Sequence, residues 1–161
     1  MSVAEMTAIA QYLTFSLAEE TFALEISRVK EVLEYTTITR VPRTPGFMLG
    51  VINLRGNVVP VVDMRVKFGI EQAEKTVNTC IIITEVSIAG ETTALGVLVD
   101  SVQEVLDIEE EKMEPPPRIG MGFNTDFIRA MGRRDSGFVI ILDTDRIFSA
   151  DELAVVTASA N

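Results

Sequence analysis

Two pentapeptides, VKEVL at 29–33 and VQEVL at 102–106, and two hexapeptides, VVPVVD at 58–63 and FVIILD at 138–143, decide how this chain folds. The pentapeptides are offset by 73 residues, and the same offset carries Pro42 onto Pro115. The hexapeptides are offset by 80, and five residues beyond the aspartate of each stands a phenylalanine, Phe68 and Phe148. Two anchored matches in the same order mark an internal repeat. The change of offset places an insertion in the second copy, after the three prolines at 115–117 and around Ile119–Thr125.

Working outward, the stretches between these anchors read as strands. Val, Ile and Thr make up 49 of the 161 residues, and the apolar runs are short and broken by turn residues. That composition and rhythm indicate an all-β protein. Strands are expected at 11–17, 21–26, 28–35, 50–54, 58–62, 79–86, 92–99, 102–108, 127–132 and 137–142. Arg55-Gly56-Asn57 reads as the turn of a hairpin. Pro60 lies inside the strand that follows and points to an edge or a bulge, because proline has no N–H for a central ladder. Ser149 and Glu152 form a capping box that opens a short C-terminal helix at 150–157. Two copies of about five strands imply two small β-barrels, at about 11–70 and 76–148, within one domain over 1–161. Neither copy can bury a core alone, so the two should pack on a shared one.

Charge and composition exclude several classes of activity. Lys and Arg number 14 against 24 Asp and Glu, a net charge of −10, which argues against a nucleic-acid partner. Histidine is absent, which removes a histidine base, a catalytic triad and imidazole metal ligands. One cysteine, Cys80, permits no internal disulfide and suits a reducing compartment. The apolar runs are too short to span a bilayer, and the N-terminus lacks the basic start of a signal peptide. What remains is a soluble, acidic, cytoplasmic globular protein; a monomer when isolated is a separate expectation that composition does not supply. The imbalance is one-sided: residues 1–70 are neutral, residues 71–161 hold the whole excess, and 40–70 is locally basic. Such asymmetry can steer and orient a partner, and a solvated face that keeps the protein soluble is the other reading, the favoured one for the Glu109–Glu111 run.

No catalytic constellation emerges. Asp143 and Asp145, and the run Glu109–Glu111, lack the glycine and closing glutamate of a calcium loop. Asp143 also repeats Asp63, which favours capping of the turn after each strand. Cys80 opens an apolar run and reads as a small core residue. No cofactor is expected, and a metal-binding barrel or small enzyme built on carboxylates is the outside alternative. Arg55, at a hairpin tip, is either a solvated turn residue or an interface anchor able to grip a carboxylate with both nitrogens.

The stretch GVINLRGNVVPVVDMRVKF, residues 50–68, resembles the signature of the CheW family of chemotaxis coupling proteins, Met64 standing where leucine is usual. The flanks agree: FALEI from Phe22, the Val29–Val32 segment, and the Pro42–Gly46 turn. The resemblance runs from about residue 11 to 155. It implies two SH3-like barrels around one hydrophobic core, and a non-enzymatic adaptor joining chemoreceptors to the histidine kinase CheA. It also implies recruitment from the cytoplasm to membrane-associated receptor arrays, without membrane insertion. A coupling domain of a non-flagellar chemosensory pathway is the alternative within the same resemblance. Carried over by position, the receptor-facing residues are Val29, Glu31, Gly50 and Arg55. The kinase's regulatory domain would dock around Cys80, Val97, Val99 and Val105, with a second contact at Ile119. Gly50 would permit a close backbone approach at which any side chain pushes a partner away.

Overall fold

A computed structural model describes residues 9–88, 90–116, 126–134, 137–148 and 152. Among the described residues eleven strands form two sheets. In chain order they are β1 (Ile9–Leu17), β2 (Glu20–Glu25), β3 (Val29–Glu34), β4 (Met48–Leu54), β5 (Asn57–Asp63), β6 (Cys80–Ile88), β7 (Glu91–Val99), β8 (Ser101–Glu109), β9 (Met113–Glu114), β10 (Ile128–Arg134) and β11 (Gly137–Leu142). A one-turn helix, α1 (Met64–Lys67), follows β5. The six-stranded sheet has the order β8-β1-β2-β11-β10-β9, and the five-stranded sheet the order β3-β6-β7-β5-β4. The all-β, SH3-like architecture expected from the sequence is what the chain adopts.

The repeat is visible strand by strand, but the sheets do not follow it. β1–β5 correspond in order to β6, β7, β8, β10 and β11. Each sheet takes the last three strands of one copy and the first two of the other. β2 joins β11 and β5 joins β7, both in parallel; every other pairing is antiparallel. The barrels expected as successive halves, 11–70 and 76–148, are thus interleaved. Residues 29–99 supply one sheet, and 9–25 with 101–142 supply the other. The link between β2 and β3 is a single short 3-10 turn at Ile26–Arg28, so the chain leaves one sheet and enters the other at once.

The duplication extends to detail. A register shift falls between Met48 and Gly50 in β4 and between Ile128 and Ala130 in β10, at the offset of 80. Asp63 Oδ1 accepts the Arg65 N–H at 2.9 Å, and Asp143 Oδ1 accepts the Asp145 N–H at 3.1 Å, which are the expected caps. The Asp63 N–H donates to Phe47 O and the Asp143 N–H to Phe127 O, at 2.7 and 2.8 Å. Rings are exchanged between copies: Phe47 meets Phe148 in a tilted contact (5.4 Å) and Phe68 stacks with Phe127 (4.6 Å).

Alternation of side chains explains the apolar runs. Ile81 and Ile83 of β6 point into a small core of the five-stranded sheet with Ile52, Val59 and Val61. Ile82 points the other way, into a larger core shared with Leu13, Phe15, Phe22 and Leu24 of the opposite sheet. Val139 and Ile141 of β11 fill a third core with Tyr12 and Ile108, while Leu142 joins the shared one. Strands buried on both faces need apolar residues at successive positions.

Of the two places expected for Pro60, the edge is a correction and a bulge lies close by: β5 sits between β7 and β4, and the β4–β5 register shifts between Met48 and Gly50, opposite Val62 and Val61. The ladder to β7 begins only at Val61, so Pro60 has a strand partner, Val51 of β4, on one side alone. Its missing N–H therefore costs no ladder bond on the β7 side. The expected C-terminal helix at 150–157 lies outside the described residues apart from Glu152, whose carboxylate meets Lys67 Nζ at 2.8 Å.

Candidate interaction surface

Arg55 and Gly56 form the two-residue loop between Leu54 and Asn57, both with positive φ (51° and 86°). A tight hairpin loop of this kind matches the twist of its strands only with such values. The Asn53 side chain accepts the Gly56 N–H at 2.8 Å and fixes the turn. The Arg55 side chain, 69% exposed, reaches across to Glu31 on β3, the strand at the opposite edge of the sheet. The contact is two-pronged, Nη1 to Oε1 at 3.2 Å and Nη2 to Oε2. The hydrogen bond from Arg55 holds the Glu31 carboxyl below its ordinary range, and Glu31 raises the guanidinium in turn. The two edge strands of the five-stranded sheet are thus clasped by a charged pair open to solvent. A carboxylate on a partner can compete for the same guanidinium.

The other candidate receptor residues divide. Val29 starts β3 and packs half-buried against the shared core. Gly50 is buried, and its role differs from the expected one. A Cβ there would stand 2.1 Å from the Thr39 carbonyl oxygen, with the backbone at φ 149°. Thr39 and Val51 exchange hydrogen bonds of 2.9 and 2.8 Å across this point. The close approach that Gly50 permits is therefore made by the chain's own 38–46 segment.

The candidate kinase residues do not form one surface. Val97 and Val99 are 2% and 1% exposed, on a central strand, and face the core between the sheets. They are framework and offer nothing to a partner. Cys80, half-buried, sits opposite Val99 at the start of β6, its thiol near Asn78 O. Val105 is 47% exposed, on β8 of the other sheet. Ile119 lies outside the described residues. Burial on both faces of β7 is what composition conceals, since a β-branched run reads alike in a core and on an apolar surface.

The clasp has a counterpart. Glu104, the repeat equivalent of Glu31, pairs with Arg134 of β10. Exposed apolar residues are duplicated as well: Val32 matches Val105, and Val58 matches Phe138. Two further pairs tie the copies together. Arg65 grips Asp100 through Nε (2.7 Å) and Nη2 (2.6 Å), and Arg28 grips Asp145 at 2.9 and 2.5 Å. Arg65 and Asp145 occupy repeat-equivalent positions, and Asp100 and Arg28 each precede the third strand of a copy. The polarity is reversed between the two pairs. Burial pushes the Asp100 carboxyl up, but Arg65 and the Ala18 N–H outweigh it and hold it below its ordinary range. The Arg28 hydrogen bond does the same for Asp145, assisted by the Ser87 N–H.

Residues 11–152 match the CheW-like domain family. The chain belongs to the CheW-like family. It is 32% identical over 146 residues to the chemotaxis protein CheW of Klebsiella aerogenes, covering 91% of this chain and 86% of that one. It is likewise 32% identical over 155 residues to chemotaxis protein CheW of Rhizobium meliloti, covering 91% and 97%. The crystal structure of the scaffolding protein TtCheW from Thermoanaerobacter tengcongensis superposes with a TM-score of 0.77 at 37% identity, covering 89% of this chain and 94% of that one. A CheW-like protein is a chemotaxis scaffold and adaptor, not an enzyme, and this chain is one. No helix among the described residues is long and apolar enough to cross a membrane.

Proposed function

We propose that this CheW-like protein couples the cytoplasmic tips of chemoreceptors to the histidine kinase CheA, binding the receptor through the clasped edge of its five-stranded sheet. The observation that carries the reading is the Glu31–Arg55 pair, a two-pronged charged contact presented on a rigid hairpin at the heart of the family signature. Coupling of this kind needs no bond to be made or broken. It needs a stiff body that fixes two partners against each other, so that a small motion of one shifts the on and off populations of the other. Three apolar cores joined across interleaved sheets make such a body. The kinase would meet the duplicated exposed face around Val105, and the protein would work from the cytoplasm, held at receptor arrays. The test is co-sedimentation of the chain with a receptor cytoplasmic fragment and CheA, with kinase activity followed in the same samples. Wild-type protein should join the pellet and place kinase activity under receptor control. Arg55→Glu should lose both, and retention of both would remove the clasp from the receptor site.

A further inference from the structure

A second feature lies at the other end of β4. Three adjoining cavities of about 470, 350 and 190 Å3 share Arg40 and Leu49 and form one trough. Its floor is apolar at Ile38, Leu49 and Leu98, and Asp63, Glu71 and Lys75 also line the trough. Ile38, Leu49 and Leu98 rest directly on the core of the five-stranded sheet, which keeps the floor stiff. Arg40 and Arg43 stand on its wall, both exposed. Among the described residues every other arginine contacts a carboxylate, and these two contact none. They are unpaired cations on a protein of net charge −10.

The wall that carries them is built, not loose. The Thr39–Val51 bridge pins it to β4 across Gly50. The Thr44 hydroxyl donates to Val41 O at 3.0 Å, and the Met48 N–H to Pro45 O at 3.0 Å. Arg43 sits at φ 63°, a conformation that costs a non-glycine residue energy and that persists only where the surroundings hold it. Two guanidiniums held beside an apolar trough suit an acidic peptide segment, whose carboxylates meet the arginines while an apolar side chain enters between them.

We propose that this trough is the second half of the receptor site and receives an acidic stretch of the same receptor segment that engages Arg55; the inference rests on the receptor-coupling reading above. Leu49 near the start of β4 and Arg55 just past its end are separated by roughly 20 Å, at about 3.4 Å per residue of strand. A helical segment of about 13 residues covers that span. The site is therefore elongated along the outer strand β4, with Gly50, next to Leu49 at the trough end, acting as a positioning residue that seats the wall. On this account Gly50 affects receptor binding without touching the receptor.

The experiment compares Arg40→Glu/Arg43→Glu, Arg55→Glu and wild type for binding to the purified cytoplasmic fragment of a chemoreceptor and, separately, to the CheA regulatory domain. Each is titrated at two salt concentrations, with circular dichroism melts to establish folding. Exposed charge changes should leave the melts unmoved. The double variant should bind the receptor fragment at least tenfold more weakly, bind CheA normally, and show a smaller salt dependence than wild type. If it binds the receptor fragment as wild type does while Arg55→Glu fails, the trough is not part of the site, although the coupling reading stands. If it loses CheA and keeps the receptor, the partner is wrongly assigned. If wild-type protein ignores the receptor fragment, the coupling reading itself falls.

Discussion

At Gly50 and Arg55, two residues five apart in one hairpin, the chemistry differs completely. Arg55 is exposed, and its partner Glu31 sits on the surface, so solvent screening leaves the pair contributing little to stability. Arg55→Glu should leave the urea midpoint nearly unchanged while abolishing receptor binding. Gly50→Ala should do the reverse of a surface change, because a methyl group 2.1 Å from the Thr39 oxygen must displace backbone. A loss of about 3 kcal/mol is expected from overpacking and strain together, read as a lower urea midpoint with an unchanged slope. The repeat partner of Gly50 is Ala130, so the glycine answers to the 38–46 segment and not to the bulge that both copies share. The sequence motif announced that position 50 matters. It did not announce what the glycine makes room for, because Thr39 is brought there by a bridge between segments that share no periodic pattern. Arg55 was legible as exposed at a turn, but its partner was not, since Glu31 belongs to the far edge of the sheet.

Among the elements, the strands were legible and their neighbours were not. Short β-branched runs between turn residues mark strands by local chemistry, and those expected from the sequence fall within a few residues of those found. Pairing depends on the path of the chain. Nothing in FALEI, starting at Phe22, says that β2 will lie parallel to a strand more than a hundred residues later. The same gap misplaced Val97 and Val99, whose strand is central and whose side chains fill the interior. Val97→Ala should therefore cost about 1–3 kcal/mol of stability and leave the affinity of the folded fraction for CheA unaltered, as calorimetry on the folded protein would show. The pairs at the ends of the third and fifth strands make a separate prediction. Asp100 and Asp145 are held below the ordinary carboxylate range in the folded protein. A depressed native value means that the unfolded chain takes up protons first as pH falls. The stability they contribute is complete above about pH 5 and disappears as pH drops through their folded values, below the ordinary value of about 3.9. Urea midpoints of wild type and Arg28→Met/Arg65→Met should therefore differ at pH 7 and draw together as pH falls below the ordinary carboxylate value.

For the molecule as a whole, the reversed polarity of those two pairs specifies which copy pairs with which. In the observed arrangement Arg65 meets Asp100 and Asp145 meets Arg28. If each copy closed on itself, arginine would face arginine and aspartate would face aspartate. The exchange Arg65→Asp/Asp145→Arg keeps the net charge but makes both native contacts repulsive, and should lower the melting temperature. Arg65→Asp/Asp100→Arg inverts one pair and keeps its attraction, giving up the Ala18 N–H bond to Asp100, and should melt above the first variant. Equal melting of the two variants would show that polarity carries no such information. The repeat itself was readable in the sequence, because anchored identities survive in order. Its interleaving was not, because either arrangement buries the same residues. Interleaving has a consequence for synthesis. The five-stranded sheet is contiguous over residues 29–99, so a ribosome can deliver it complete. The β1–β2 hairpin, made first, has both flanks bare until β8 and then β11 emerge. A message truncated between the codons for Val99 and Phe138 thus leaves an amino-terminal ribbon with at least one bare flank beside a completed five-stranded sheet. Quality-control proteases would find in that ribbon, and not in the finished sheet, the mark of an incomplete product.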